Sequence, residues 1–345
     1  AYDAFIEKFV AAVATALPGC VIQWEDFKQQ NAIKILERYR GTVPSFNDDI
    51  QGTGAVALAG IIAAINAGGG SGSKKMNDQR FLFYGAGAAT LGIVRLLRRY
   101  LESVGMSADE RASAIIAMDS KGIVHDGRSD LTDGKSELAL SATTLRALNL
   151  DTLSGTSTLE AIISAARPTA LLGTSGQAGA FTEAAIRAAA AAAPAPLIWP
   201  LSNPTSCAEA TPSDILQWSE GCAVVATGSP FEPVLVGRKS EAISQANNVY
   251  IFPGVGLAAI AGHLPRIPDE AFLVAAETLA SLTPPARASI YPPIAQLRAI
   301  SRSIAIAVIQ AGVAGGWAPA TPVDRIPELV DAAMWSPAYR PYLPA

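Results

Sequence analysis

Apolar positions recur at helical spacing near the start of the chain: Phe5, Ile6, Phe9, Val10 and Val13 mark one face over residues 2–17. Pro18-Gly19 ends that pattern. Residues 20–24 read as a short strand that delivers Glu25 and Asp26 to its C-terminal end. Ala32, Ile33, Ile35, Leu36 and Tyr39 mark a second helix, and residues 40–46 read as a loop. Residues 54–67 are small and apolar, predicting a long helix led in by Asp48 and Asp49. The stretch Gly68-Gly69-Gly70-Ser71-Gly72-Ser73-Lys74-Lys75 is a flexible linker by composition.

A different rhythm follows. Residues 80–84 form a buried strand that runs into Gly85-Ala86-Gly87-Ala88-Ala89-Thr90-Leu91-Gly92, and an amphipathic helix continues to about residue 100. Residues 114–118 form a strand ending at Asp119. Helices at 159–166, 181–193 and 212–218 then alternate with strands at 169–172, 197–201 and 223–227. Repeated strand–helix units imply a parallel sheet with right-handed crossovers. The expected fold is α/β: a doubly wound, Rossmann-type dinucleotide-binding domain flanked by helical segments of a second domain. Gly85, Asp119, Gly173, Ser202-Asn203 and Gly228-Ser229 stand at strand C-terminal ends and converge on one edge, where such sheets bind ligands. Beyond Asn247 the pattern is helical, at 256–263, 269–282 and 294–312; the proline-rich end from 317 is expected on the surface or on a neighbouring subunit. The expected division is 1–47, part of a substrate and metal domain; 48–247, the dinucleotide domain; 248–318, a helical return; and 319–345, a surface tail.

Composition narrows the chemistry. The 345 residues suffice for two domains with cores, and 50% hydrophobic against 16% charged residues excludes disorder. A net charge of −4 without a basic stripe excludes nucleic acid as a partner. The apolar run 54–67 is too short and too rich in alanine and glycine to suggest a membrane span. Cys20, Cys207 and Cys222 fit no disulfide framework or metal spacing, so a reducing compartment is expected, cytoplasm or mitochondrial matrix rather than secretion. Asp3, Glu7 and Lys8 fall within the first amphipathic helix, unlike a signal peptide. The chain begins without methionine and mid-pattern, as a fragment would. Only His125 and His263 are present, so acid–base chemistry falls to carboxylates, lysine, tyrosine or a metal-bound group.

The glycine turn is the clearest motif. Gly85 allows the tight turn, Gly87 lets backbone approach a pyrophosphate, and the helix N-terminus at Ala88 and Ala89 attracts its charge. Thr90 stands at the third fingerprint position, with Gly92 two residues later. A lone Asp119 would take the ribose hydroxyls of NAD; Ser120 and Lys121, with Arg128 and Lys135 nearby, suit the 2′-phosphate of NADP instead. A solvated turn with surface charges is the bland alternative. The expectation is NADP, with NAD second.

Two adjacent acid pairs stand out: Glu25-Asp26, and Asp48-Asp49 within Ser45-Phe46-Asn47-Asp48-Asp49-Ile50-Gln51-Gly52-Thr53. Adjacent aspartates repel unless something positive is near. Either a helix N-terminus or a divalent cation answers that need. An oxygen-rich cleft almost without histidine or cysteine suits Mg²⁺ or Mn²⁺. Asn203, Asn247 and Asn248 offer amide donors for a carboxylate or a carboxamide, or serve as turn residues. The turn Gly173-Thr174-Ser175-Gly176-Gln177 either touches cofactor or is a tight connection.

Taken in order, Ile22-Gln23-Trp24-Glu25-Asp26-Phe27, Phe46-Asn47-Asp48-Asp49-Ile50-Gln51-Gly52-Thr53, Phe83-Tyr84-Gly85-Ala86-Gly87, Leu201-Ser202-Asn203-Pro204-Thr205, Gly228-Ser229-Pro230-Phe231 and Asn247-Asn248-Val249-Tyr250-Ile251-Phe252-Pro253-Gly254 resemble malic enzyme over nearly the whole chain. The resemblance implies oxidative decarboxylation of malate to pyruvate and CO₂ with NAD(P) and Mg²⁺ or Mn²⁺. It implies Glu25, Asp26 and Asp49 as metal ligands and Asp48 as a catalytic acid supporting a lysine base. It implies Asn203 and one or both of Asn247 and Asn248 as malate contacts. Asp119-Ser120-Lys121-Gly122 with Lys135 looks like the NADP-preferring branch. Ala88, Thr90 and Trp24 depart from the family's usual glutamate, alanine and phenylalanine. The resemblance places the family's tyrosine acid, lysine base and malate-binding arginine in an N-terminal region outside this sequence, so this chain is expected to hold cofactor and metal but to catalyse poorly or not at all. Malate as partner and a homo-oligomer, dimer or tetramer, are also expected. The rivals are a metal-independent amino-acid or 2-hydroxy-acid dehydrogenase and a non-catalytic nucleotide-binding or oligomerisation module.

Overall fold

Two three-residue strands, β1 (Ile22–Trp24) and β2 (Ser45–Asn47), pair in parallel with Trp24 beside Asn47. Each strand ends at an acidic pair, so parallel pairing alone brings Glu25 next to Asp48. The computed structural model describes residues 1–153, 157–236, 239–286 and 289–339. β2 lies within the stretch read as a loop. Its Ser45 and Asn47 are fully buried polar residues, which break the apolar signature of a strand.

A wide helical turn, Asp48–Gly52, leads into the helix Thr53–Asn66. That helix is buried from Gly54 to Ile65, as an all-apolar helix must be. It packs against the helices Ala88–Ser103 and Asp269–Ser281. Its glycines are what let neighbours approach: a Cβ on Gly54 would lie 2.7 Å from the Gly92 carbonyl oxygen, and one on Gly60 2.3 Å from Tyr291 Oη. By length and composition Asp48–Asn66 and Ile294–Ala314 are each apolar enough to cross a bilayer, and 89% of the first lies inside the fold.

The main sheet has seven strands: β3 (Phe81–Tyr84), β4 (Ile115–Asp119), β5 (Gly122–Ile123), β6 (Ala170–Gly173), β7 (Leu197–Pro200), β8 (Val224–Thr227) and, beyond the hairpin of β9 (Val234–Val236) and β10 (Lys239–Glu241), β11 (Ser244–Gln245). Their order is β11-β8-β7-β6-β3-β4-β5, parallel throughout except for β5. The chain leaves β3 toward β4 and later returns to β6 on β3's other side. The strand order therefore reverses between β3 and β6, where open α/β sheets bind ligands. This is the expected α/β architecture. Phe81, Leu82, Phe83, Ile116, Leu172, Ile198 and Trp199 are completely buried between helical layers, which is why these strands read as continuous apolar runs.

Two stretches are more firmly held than their composition suggests. The stretch 68–75 is held rather than loose. Gly70 pairs with Ala195, and the Gln79 amide nitrogen donates to Ser71 Oγ and to the carbonyls of Ser73 and Lys75 while its oxygen accepts from the Ser71 N–H. One glutamine a few residues downstream supplies the order that composition could not promise. Within the expected surface tail, the helix Ile326–Ala333 buries Ile326 and Val330 against the helices Phe252–Ala261 and Leu297–Ala314. Residues 340–345 of that tail lie outside the described residues.

Candidate active site

At the switch point, Tyr84, Gly85, Ala86, Gly87, Asp119, Ser120, Lys135, Thr174, Ser175 and Gln177 line a pocket of about 300 Å³. Gly85 has φ +120°, and a Cβ there would meet Thr174 at 2.7 Å. Only glycine lets the turn pass so close to the next loop. Thr90 Oγ1 closes that junction, bonding the Gly85 carbonyl at 2.7 Å and Thr174 Oγ1 at 2.6 Å.

Gly85, Gly87, Asp119, Ser120 and Lys135 thus fall in the expected cofactor pocket. Ala88 and Ala89 open the helix beside it. Gly92 does not face it: a Cβ on Gly92 would stand 2.0 Å from the Ile50 carbonyl oxygen, so its role is close packing of the Asp48–Gly52 turn. Lys121 is also displaced. It is exposed, pairs with Asp130 at 2.8 Å, and lines a separate cavity with His125 and Arg146. Thr174, Ser175 and Gln177, undecided from spacing, line the same pocket as Gly85 and Asp119.

Asp119 has two cationic partners. Arg128 bonds both its oxygens, at 2.9 and 3.0 Å, and Lys135 bonds Oδ2. Burial pushes the Asp119 pKa up, but these bonds outweigh it and hold the carboxyl down at about 2. Arg128 also bonds Asp130 through its other donors. The cations that suggested a phosphate site are therefore already paired with carboxylates.

Farther along the same edge, Glu25, Asp48, Asp49, Thr53, Asn203, Ser229, Asn247 and Asn248 line a second pocket of about 350 Å³. Asn47 shapes the turn that carries Asp48 and Asp49: its Oδ1 accepts from the Ile50 N–H at 2.9 Å, and its own N–H donates to Gln51 Oε1. Gln51 in turn donates to Asp269 at 2.9 Å. Asp48 is 2% exposed. Asn248 Nδ2 donates to its Oδ2 and to its backbone carbonyl, while Oδ1 is buried without a hydrogen-bond partner. Burial, opposed by the Asn248 bond and reinforced by the Glu25 and Asp49 charges, lifts the Asp48 pKa to about 7. Burial and the charges of Asp49 and Asp26 likewise raise Glu25 despite its bond to Gln23.

Among the described residues, no group of three or more His, Cys, Asp and Glu side chains converges as a metal cage. Glu25 and Asp49 share the pocket, but Asp26 does not line it. Asp26 has φ +62° and is exposed, and it is its backbone N–H that reaches Asp49 Oδ2, at 2.9 Å. The left-handed turn thus supplies a backbone donor where the expected triad had a third carboxylate.

The asparagines are tied down differently. Asn203 Oδ1 accepts from Ser229 Oγ at 2.6 Å, Asn247 Oδ1 caps the turn at Val249, and Asn248 is committed to Asp48 and Thr53. Asn203 and Asn247 keep amide N–H groups beside the pocket, whereas Asn248 serves Asp48. Ser229 and Thr53 stood in motifs without a role of their own, and Glu209, buried between the loops after β6 and β7, had no local signal at all.

The family described as "Malic enzyme, NAD binding domain" matches residues 50–313, and "Malic enzyme, N-terminal domain" matches residues 1–40. The chain belongs to the malic enzyme family. It is 40% identical over 344 residues to the NAD-dependent malic enzyme of Sodalis glossinidius and 39% identical over 344 to that of Vibrio campbellii, covering 99% of this chain each time. It spans about 60% of the length of these curated relatives. The fold is that of the Entamoeba histolytica malic enzyme, with TM-score 0.76 at 23% identity, covering 96% of this chain and 62% of that one. The Pyrococcus horikoshii malic enzyme follows at TM-score 0.72 and 23% identity, covering 95% and 69%. Thr90, one of the positions where the resemblance implied a departure, uses its hydroxyl to pin the loops after β3 and β6 together. Trp24 is buried among Phe9, Phe27 and Tyr39.

Proposed function

We propose that the protein carrying this chain oxidises and decarboxylates (S)-malate to pyruvate and CO₂, with a dinucleotide at the Gly85–Asp119 pocket and a divalent cation at the acidic pocket. The observation that carries this reading is that Glu25, Asp48 and Asp49 line one pocket with Asn203 and Ser229, which follow strands of the sheet whose edge also holds the glycine turn. Like-charged carboxylates raise one another's pKa, and the orphaned Asp48 Oδ1 marks polar capacity that no protein group uses. Both features fit an oxygen-loving cation, Mg²⁺ or Mn²⁺. Glu25 and Asp49 would hold it. Bound there, it would stabilise the negative charge that gathers on the malate C2 oxygen as CO₂ departs. The nicotinamide would accept the hydride from C2.

The chain's own residues would do the rest. Asn203 and Asn247 orient the substrate carboxylates through amide N–H donors. Asn248 fixes Asp48. A carboxyl group titrating near 7 can hold or release a proton at working pH, which suits Asp48 as relay to a base.

On cofactor, we favour NAD over the expected NADP. Asp119 presents a firmly ionised carboxylate, right for ribose hydroxyls and repulsive to a 2′-phosphate, and its cations are occupied. The curated relatives named above are called NAD-dependent. The deciding experiment is a malate-dependent assay of the complete protein with NAD and NADP, with and without Mn²⁺. Pyruvate and CO₂ formation requiring Mn²⁺ supports the reading. Malate oxidation that continues in chelator would point to a metal-independent dehydrogenase.

A further inference from the structure

Glu209 has no solvent exposure, yet it lies outside both pockets' linings. Its Oε1 accepts three hydrogen bonds: from the Ser175 N–H at 2.8 Å, Ser175 Oγ at 2.8 Å and Ser202 Oγ at 2.6 Å. Ser202 Oγ accepts from the Gly176 N–H at 2.8 Å, and Ser175 Oγ from the Gln177 N–H at 3.1 Å. One carboxylate oxygen therefore ties the loop after β6 to the loop after β7. The first loop supplies Thr174, Ser175 and Gln177 to the cofactor pocket; the second supplies Asn203 to the acidic pocket.

The surroundings are shaped for this carboxylate. Gly173 ends β6 beneath it, and a Cβ there would lie 2.5 Å from Glu209 Cδ. The Glu209 backbone is anchored separately, its carbonyl accepting from the Phe181 N–H at 2.9 Å. Glu209 Oε2 is buried with no hydrogen-bond partner. A buried carboxylate that meets hydroxyls and an amide is a poor choice for filling space, because an apolar side chain would carry less desolvation penalty. Its charge is also felt by Tyr84 in the cofactor pocket, whose hydroxyl pKa is raised by burial first and by Glu209 second.

We infer that Glu209 is a positioning residue: it holds the cofactor loop 174–177 against the substrate loop 201–204, so that dinucleotide and substrate amide keep one frame. The inference rests on the cofactor reading above. Oε1 does the holding, so an acceptor is required and a charge is not.

The test is NADH binding by the 345-residue chain, followed by fluorescence titration, with thermal midpoints in parallel. Glu209→Ala weakens NADH by about tenfold or more, the loss expected when hydrogen bonds to a buried carboxylate are removed. Glu209→Gln, which keeps an acceptor, restores affinity to within about threefold of the original. If Glu209→Ala does not fold, Ser175→Ala with Ser202→Ala removes two of the three bonds without emptying the site and weakens NADH in the same direction. Unchanged NADH affinity in a folded Glu209→Ala or in the double serine variant overturns the inference. So does a Glu209→Gln variant as weak as Glu209→Ala. An original chain that binds no NADH overturns the cofactor reading itself, and the inference falls with it.

Discussion

Asn248 Nδ2 donates to both the carboxylate and the backbone carbonyl of Asp48, each at 3.1 Å, across 200 residues of sequence. It is the only donor to that carboxylate among the described hydrogen bonds, and the other oxygen is buried unpaired. This sets a pH dependence with a definite sign. The folded-state pKa of Asp48 stands near 7 against an ordinary value of 3.8. Between those values the native state keeps a proton that the unfolded chain has lost, so stability from this group is fullest below about pH 4 and falls as pH rises to 7. Asp48→Asn removes the titration. The difference in unfolding free energy between variant and original, followed by denaturant melts of the metal-free chain, grows from pH 4 to pH 7 by on the order of a few kcal/mol and is flat above.

A divalent cation reverses that penalty by giving the carboxylates a counter-charge. Mn²⁺ added to the chain raises its thermal midpoint, and raises it more at pH 8 than at pH 5, where Asp48 holds a proton that competes. At a hundredfold excess over the dissociation constant the stabilisation is about 2.7 kcal/mol. Asp49→Asn and Glu25→Gln each remove most of the shift. A midpoint that Mn²⁺ leaves unmoved at both pH values would sink the cation site.

Where the sequence was legible, burial and periodicity agreed. The helices at 159–166 and 212–218 match to the residue, and β3, β4, β6, β7 and β8 match within a residue or two at each end, because their positions are apolar throughout. The carboxylates and asparagines were legible as motifs, but not as partners. One or both of Asn247 and Asn248 were expected to meet substrate; Asn248 also bonds Asp48, a contact that depends on the fold of the intervening 200 residues. Asp26 was expected as a ligand, but a positive φ replaced its side chain with its N–H at Asp49. β2 was missed because its outer residues are buried polar ones, and β9, β10 and β11 because each is too short to show a period.

Gly92 was read as a phosphate-loop glycine, and its surroundings assign it to packing instead. Gly92→Ala would drive a Cβ to within 2.0 Å of the Ile50 carbonyl, inside the turn that carries Asp48 and Asp49. Backbone must move, so a loss of about 3 kcal/mol or more is expected, together with weaker Mn²⁺ stabilisation. Gly256→Ala is the control. It lies in the helix Phe252–Ala261 with nothing within 4 Å of its Cβ position, so it should be neutral or stabilise by about 0.5–1 kcal/mol. Denaturant melts of both variants decide the matter; equal effects would mean that helix propensity, not the close approach to Ile50, governs position 92.

The choice between NAD and NADP turns on Asp119. Its carboxylate accepts from Arg128 and Lys135, and as long as it does so the two cations are neutralised at the place a 2′-phosphate would occupy. Asp119→Ser removes the negative charge and frees both cations at once. NADPH should then bind at least about tenfold tighter relative to NADH than in the original chain, a change of about 1.4 kcal/mol in the difference. Lys135→Ala separates the alternatives from the other side. If the lysine mainly steadies Asp119, NADH and NADPH weaken together; if it meets a 2′-phosphate, NADPH weakens more. A Lys135→Ala chain that loses NADPH selectively, beside an Asp119→Ser chain that gains nothing for NADPH, would restore the NADP assignment that the sequence first suggested.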